Sequence, residues 1–179
     1  MNTMNGELVT RTATIDDAVA IQRLLRVAML TYCAESDIST SMLEAMTESI
    51  ESVEERIRNN NCIAVFDGNS AVGTITVGIT NVPVRYSFSS KTESFLNGFT
   101  QAAYISRFAV IQEFRRGGLG QNLMSAGEKY AVESGCEVML LHCSTMNRKM
   151  TAFYEARGFR LIDAERSRGY PRGLFAKTI

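Results

Sequence analysis

Several features that the chain hardly has narrow its chemistry at once. It carries one histidine, His142, and four cysteines, Cys33, Cys62, Cys136 and Cys143, none of them in a C-x-x-C pair. A metal site from so few and so scattered ligands would need a coincidence of folding, so no metal is expected. Reduced, mostly buried thiols of a cytosolic protein are the simpler reading. An excess of one charge is also missing: Lys plus Arg and Asp plus Glu both number 19, for a net charge of zero. A nucleic-acid partner usually calls for a basic surplus, and none is expected here. No apolar run approaches the ~20 residues of a membrane span. The opening Met1-Asn2-Thr3-Met4-Asn5-Gly6-Glu7 carries neither a basic nor an apolar signal region. A soluble, cytoplasmic protein without a membrane partner is the expectation. No repeat, linker or low-complexity stretch divides the chain.

What is present is ordinary globular composition. The 179 residues are 45% apolar and 21% charged, enough for one domain over residues 1–179 with a substantial core. Residues 7–13 alternate as a short strand. Thr14 to Asp17 resembles a capping box, followed by Ala18, Ile21, Leu25, Ala28 and Tyr32 on one helical face. Ser41-x-x-Glu44 reads as a second cap, leading into Leu43, Met46, Ile50, Val53 and Ile57. Asp67-Gly68-Asn69-Ser70 between β-rich runs at 62–66 and 71–80 signals a hairpin. Residues 81–101 form a long polar and aromatic connection with Pro83, Tyr86, Phe88, Phe95 and Phe99, a length that tends to be functional or mobile. Strands follow at 102–110, 137–143, 159–163 and 173–178, with helices between the first three, the first of them ending at Gly135. The run at 137–143 is apolar enough to be buried on both faces. The order β-α-α-β-β-β-α-β-α-β-β, with one parallel crossover, predicts an α+β fold.

Chemistry concentrates at Arg115-Arg116-Gly117-Gly118-Leu119-Gly120. Glycines where a strand turns into a helix let backbone N–H groups approach an anion, and the helix N-terminus and both arginines favour negative charge. Two nucleotide loops are excluded. Gln121 and Asn122 stand where a P-loop needs Lys and Ser/Thr, and Leu123 stands where a G-x-G-x-x-G fingerprint needs its last glycine. By itself the segment is an anion-binding turn.

Arg115-x-x-Gly118-x-Gly120 resembles the R/Q-x-x-G-x-G/A loop of the Gcn5-related N-acetyltransferases (GNAT). Ile105 to Val110 before it looks like that family's fourth strand. Met146-Asn147-Arg148 and Ala152-Phe153-Tyr154-Glu155-Ala156-Arg157-Gly158-Phe159 after it resemble the family's second cofactor motif, one residue shorter here. The resemblance covers the whole chain in element order and is specific over residues 104–163. It implies a GNAT-like fold, a central mixed sheet of about seven strands flanked by about four helices. It also implies an N-acetyltransferase that moves an acetyl group from acetyl-coenzyme A to a primary amine of a small molecule or peptide, by direct attack through a tetrahedral intermediate. Arg115, Arg116, Gly117, Gly118, Leu119, Gly120 and Gln121 inherit the pyrophosphate site. Phe108, Ala109 and Val110 inherit the backbone contacts to the thioester and pantetheine, in the manner of an added strand. Asn147 inherits a contact to the pantetheine, and Phe153 lies beside Tyr154 in the cofactor site. Tyr154 becomes the catalytic acid, since a phenol with pKa near ~10 is protonated at neutral pH and can donate to a leaving thiolate. The resemblance leaves a homodimer open.

The base is not named by this pattern. Residues 102–110 hold no carboxylate, where many family members are thought to use a Glu. His142, Glu93 and a water chain held by Tyr104 and Ser106 are the candidates. The acceptor is expected near residues 32–40 and 81–101, and the basic stretch Arg166 to Arg172 is either a screen over the site or a solvated turn. Two rival readings stay within reach: transfer of longer acyl chains, since Ser106-Arg107-Phe108-x-Val110 also looks like a stretch of acyl-homoserine-lactone synthases, and a non-catalytic module that binds coenzyme A.

Overall fold

A computed structural model describes residues 7–82 and 89–179. β1 (Val9–Thr12) leads through a 3-10 turn into α1 (Ala18–Ser36). The Thr14 N–H donates to Asp17 Oδ2 at 2.7 Å, closing the first turn as the spacing predicts. Arg11 grips the same carboxylate through two N–H groups, at 2.7 and 2.8 Å, and holds its pKa down to about 2.

The next helical stretch departs from the expectation. A 3-10 turn at Thr40–Met42 and the four-residue α2 (Glu44–Thr47) precede α3 (Ile50–Asn59). Ser49, not Ser41, caps α3, its Oγ accepting from the Ser52 N–H at 3.2 Å. The break falls at Glu48, whose extended backbone (φ −62°, ψ 130°) stops α2. Its carboxylate is drawn inward by Arg56 and Arg107 and is buried.

β2 (Asn61–Asp67) and β3 (Ser70–Asn81) form the expected hairpin, with Gly68 at φ +57°. Beyond β3, α4 (Ser90–Leu96) is capped by Ser89; Pro83, Tyr86 and Phe88 lie outside the described residues. β4 (Gln101–Val110), α5 (Leu119–Glu133), β5 (Val138–Ser144), α6 (Arg148–Glu155), β6 (Arg160–Glu165) and β7 (Arg172–Thr178) complete the chain. Six helices therefore stand among the described residues instead of about four. The additions are the short α2 and α4, too brief for helical periodicity to declare itself.

The seven strands make one mixed sheet in the order β1-β2-β3-β4-β5-β7-β6, parallel only between β4 and β5. One face packs α5 and α6 on Ile75, Val77, Ile105, Met139, Leu141 and Phe175. The other carries α1 and α3 over Cys62, Ala64 and Phe66, and α4 over Val138, Leu140 and Leu174. Leu123 and Leu140 are fully buried, and truncating either to Ala would cost about 2–5 kcal/mol.

Two irregularities in β4 prepare the site. Its pairing with β5 ends at Ile105 opposite Leu141, so the two strands part beyond that point. Against β3, Arg107 and Phe108 together face Ile75 alone, a bulge with Arg107 at φ +49°.

Candidate active site

The parted strands open a cleft of about 1290 Å³. Its edge is main chain. The Ile111 N–H bonds Val72 O at 3.0 Å on the β3 side, so strand alternation turns the N–H and C=O of Val110 the other way, into the cleft. The Arg115 Nε accordingly donates to Val110 O at 2.9 Å, which ties the glycine loop to the strand's end. On the opposite bank, the N–H of Ser144 donates to the Tyr32 hydroxyl at 2.7 Å. An α1 side chain thus satisfies a donor of β5 where β4 no longer runs alongside.

At the mouth of the cleft, Gly118 is the N-cap of α5 at φ +83°, a conformation that side chains resist. Gly120 lets the helix approach the strand: a Cβ there would sit 3.4 Å from Phe108 Cζ. Gly118, Gly120 and Gln121 line the cleft at the positive end of a 15-residue helix, with Arg115 and Arg116 beside them. Such an arrangement can hold an anion. Gly117 and Leu119 do not line it; Leu119 turns into the core.

Deeper in, Phe108 and Phe153 stack at 5.5 Å, and Tyr154 packs against Phe108, Phe153, Phe159 and Phe175 with centroids 5.6–6.3 Å apart. Tyr154 lines the cleft, and no hydrogen bond joins its hydroxyl to another described residue. Burial first, then the neighbouring Cys143, Tyr32 and Tyr104, push its pKa well above 10, so it stays protonated. A phenol facing an apolar slot is placed to donate a proton.

Asn147 has a structural role of its own. It is fully buried and outside the cleft lining. Its Oδ1 accepts from the Met150 N–H at 3.0 Å, capping α6, and its Nδ2 donates to Ser36 Oγ at 3.0 Å. Both polar atoms of the side chain are thus engaged within the protein. The sequence signal was present, since Asn directly before a helix is a preferred cap.

Of the base candidates, Glu93 is exposed on α4 and outside the cleft. Tyr104, Ser106 and His142 all line it. The Tyr104 hydroxyl and His142 Nδ1 are 2.5 Å apart, a contact between neighbouring strands that sequence reasoning placed near but did not pair. Burial, with Arg172 and Arg168 nearby, lowers the His142 pKa from 6.5 to about 3, so the imidazole is neutral.

Residues 26–159 match the acetyltransferase (GNAT) family. The chain belongs to the GNAT acetyltransferases. Over 73 residues, 41% of this chain, it is 36% identical to a chloroplastic GCN5-related N-acetyltransferase 4 of Arabidopsis thaliana. Over 69 residues, 37% of this chain, it is 35% identical to N-alpha-acetyltransferase 60 of Xenopus tropicalis. These matches span 25% and 28% of the two relatives, so the chain covers about a quarter of their length. Among solved structures, the PaiA N-acetyltransferase of Thermoplasma acidophilum in complex with coenzyme A is similar over 97% of this chain and 99% of that one. The TM-score is 0.74 at 16% identity, a likeness of fold. No described helix of this GNAT protein is long and apolar enough to cross a membrane.

Proposed function

We propose that the chain is an acetyl-coenzyme A-dependent N-acetyltransferase acting on a primary amine of a small molecule or peptide. The observation that carries this reading is the buried Tyr154, presented to a cleft whose one bank is an unpaired strand edge and whose mouth is a glycine-lined helix N-terminus. Those features fit the donor's chemistry. Main-chain amides at Gly118, Gly120 and Gln121 suit a pyrophosphate, and the free edge of β4 suits an extended arm rich in amides.

Acetyl-coenzyme A supplies an activated acetyl group as a thioester. A Val110 N–H turned into the cleft suits a carbonyl oxygen that gains charge as the amine attacks. The C–N bond forms and the C–S bond breaks. Tyr154 gives its proton to the departing sulfur, and burial of both groups keeps that exchange out of water. Water held at Tyr104 and Ser106, which line the cleft, carries the amine's surplus proton out to solvent, and Tyr154 is reprotonated from solvent once the products leave. The neutral imidazole of His142 holds the Tyr104 hydroxyl in place and takes up no proton. A path to solvent thereby stands in for the missing strand carboxylate.

The test is release of free thiol from acetyl-coenzyme A against a panel of amines, with Y154F beside wild type. Amine-dependent release that falls in Y154F supports the reading; binding of acetyl-coenzyme A with no release for any amine refutes it.

A further inference from the structure

The amine side of the cleft is walled mostly by guanidinium groups. Arg56, Arg107, Arg168 and Arg172 line it there, and Glu44 is the one carboxylate among the described residues that lines it with them. The cleft's other lining carboxylate, Glu35, lies apart, bound to Lys149 at 2.6 Å. Glu48 stands behind the wall, accepting from Arg107 Nε at 3.2 Å and pairing with Arg56. Glu165 stands 4.0 Å behind Arg172. An amine arrives as a cation, so a lining rich in guanidinium is a poor match for the amine alone. It is a good match for an oxyanion on the same molecule, which guanidinium groups bind through paired N–H donors.

Glu44 shows what that wall attracts. It sits on α2, only four residues long, and its side chain is 64% exposed. It reaches across the cleft to the guanidinium of Arg168, on the β6–β7 turn, and lies 4.0 Å from Arg107. Arg168, Arg107 and Arg172 all hold its carboxyl below the usual range, the bond to Arg168 most of all. A surface carboxylate drawn in by three guanidinium groups occupies the position that a ligand's carboxylate would take.

We infer that the acetyl acceptor is an amine that also carries a carboxylate, an amino acid or a peptide with an acidic residue near its N-terminus, and that its carboxylate displaces Glu44 from Arg168. This rests on the transfer reading above. The amine then lies over Tyr104 and His142 while the carboxylate is held by Arg168 and Arg172 at the rim. Glu44 competes for that position and is not the base.

Matched acceptors test this: glutamate against glutamine and amino acids against their amides in one arm, N-terminal peptides with Glu or Gln second in the other. Wild type should favour the carboxylate member of a pair by about tenfold or more in kcat/KM, the scale of a charge-assisted contact. The arm with the larger ratio tells amino acid from peptide. E44Q should lower the KM for carboxylate acceptors about two- to fivefold, the scale of one exposed ion pair, without loss of kcat. Calorimetry adds a readout apart from turnover: the N-acetylated carboxylate product should bind the coenzyme A-loaded protein more tightly than its amide. Turnover with equal or reversed preference in both arms overturns this inference and leaves acetyl transfer standing. E44Q that raises KM or abolishes turnover also overturns it, by making Glu44 part of the machinery. No turnover with any acceptor overturns the transfer reading and this inference with it.

Discussion

The two ends of the cleft are built from different materials. At the end proposed for the donor the working parts are main chain, glycines and an aromatic sleeve: the edge of β4, Gly118 and Gly120, and Phe108, Phe153 and Tyr154. At the end proposed for the acceptor they are long arginines and a glutamate from α2, α3, β4, the β6–β7 turn and β7, meeting across more than a hundred residues of sequence. A backbone cradle accepts one ligand shape whatever the surrounding residues are. A ring of charged side chains can be retuned by a single substitution. Single substitutions therefore alter the arginine-rich end more readily than the main-chain end.

Substitutions can break or sharpen that contrast. The largest effect is expected at Tyr154: Y154F should lower kcat by about a hundredfold through loss of the acid, with the KM for acetyl-coenzyme A nearly unchanged. Steady-state kinetics with the donor varied checks it. At the cradle, G118V forces a β-branched residue into φ +83° and should weaken coenzyme A binding by about tenfold or more. Calorimetry reads that loss, and a melting curve shows whether the fold survives. Y32F removes the acceptor for the Ser144 N–H at the parted edge and should cost about 1–3 kcal/mol in urea unfolding.

A further effect is a change in pH dependence. Folding lowers the His142 pKa from 6.5 to about 3, so between those values the unfolded chain binds a proton that the folded chain does not. The resulting stability is complete above the unfolded value and is lost as pH falls toward 3. H142Q should therefore show a shallower loss of stability on acidification than wild type, read by denaturant unfolding across that range.

The same contrast governs what the sequence could disclose. Arg115 to Gly120 is contiguous, and its glycines have a mechanism that survives without knowledge of the fold. Tyr154 follows at a fixed interval on a helix with clear punctuation. The strand order was legible from alternation and the Asp67-Gly68 turn. The parting of β4 from β5 was not, because it depends on where a parallel register ends. The bulge at Arg107 was hidden too, since no glycine marks it. At Asn147 the cap was not read, because one residue type serves as helix cap and as ligand contact, and burial is not visible in a sequence. Glu44 was read as part of a helix cap and Glu48 carried no signal; their partners Arg168 and Arg107 lie far along the chain.

The central claim is that this cleft moves an acetyl group, and isotope-labelled acetyl-coenzyme A tests it most directly. Wild type, incubated with the labelled donor and the matched amine panel, should release thiol only when an amine is present and place the label on the acceptor nitrogen, as mass spectrometry of the products would read. Tight binding of the labelled donor, with no amine-dependent thiol and no labelled amide in any mixture, would contradict the account.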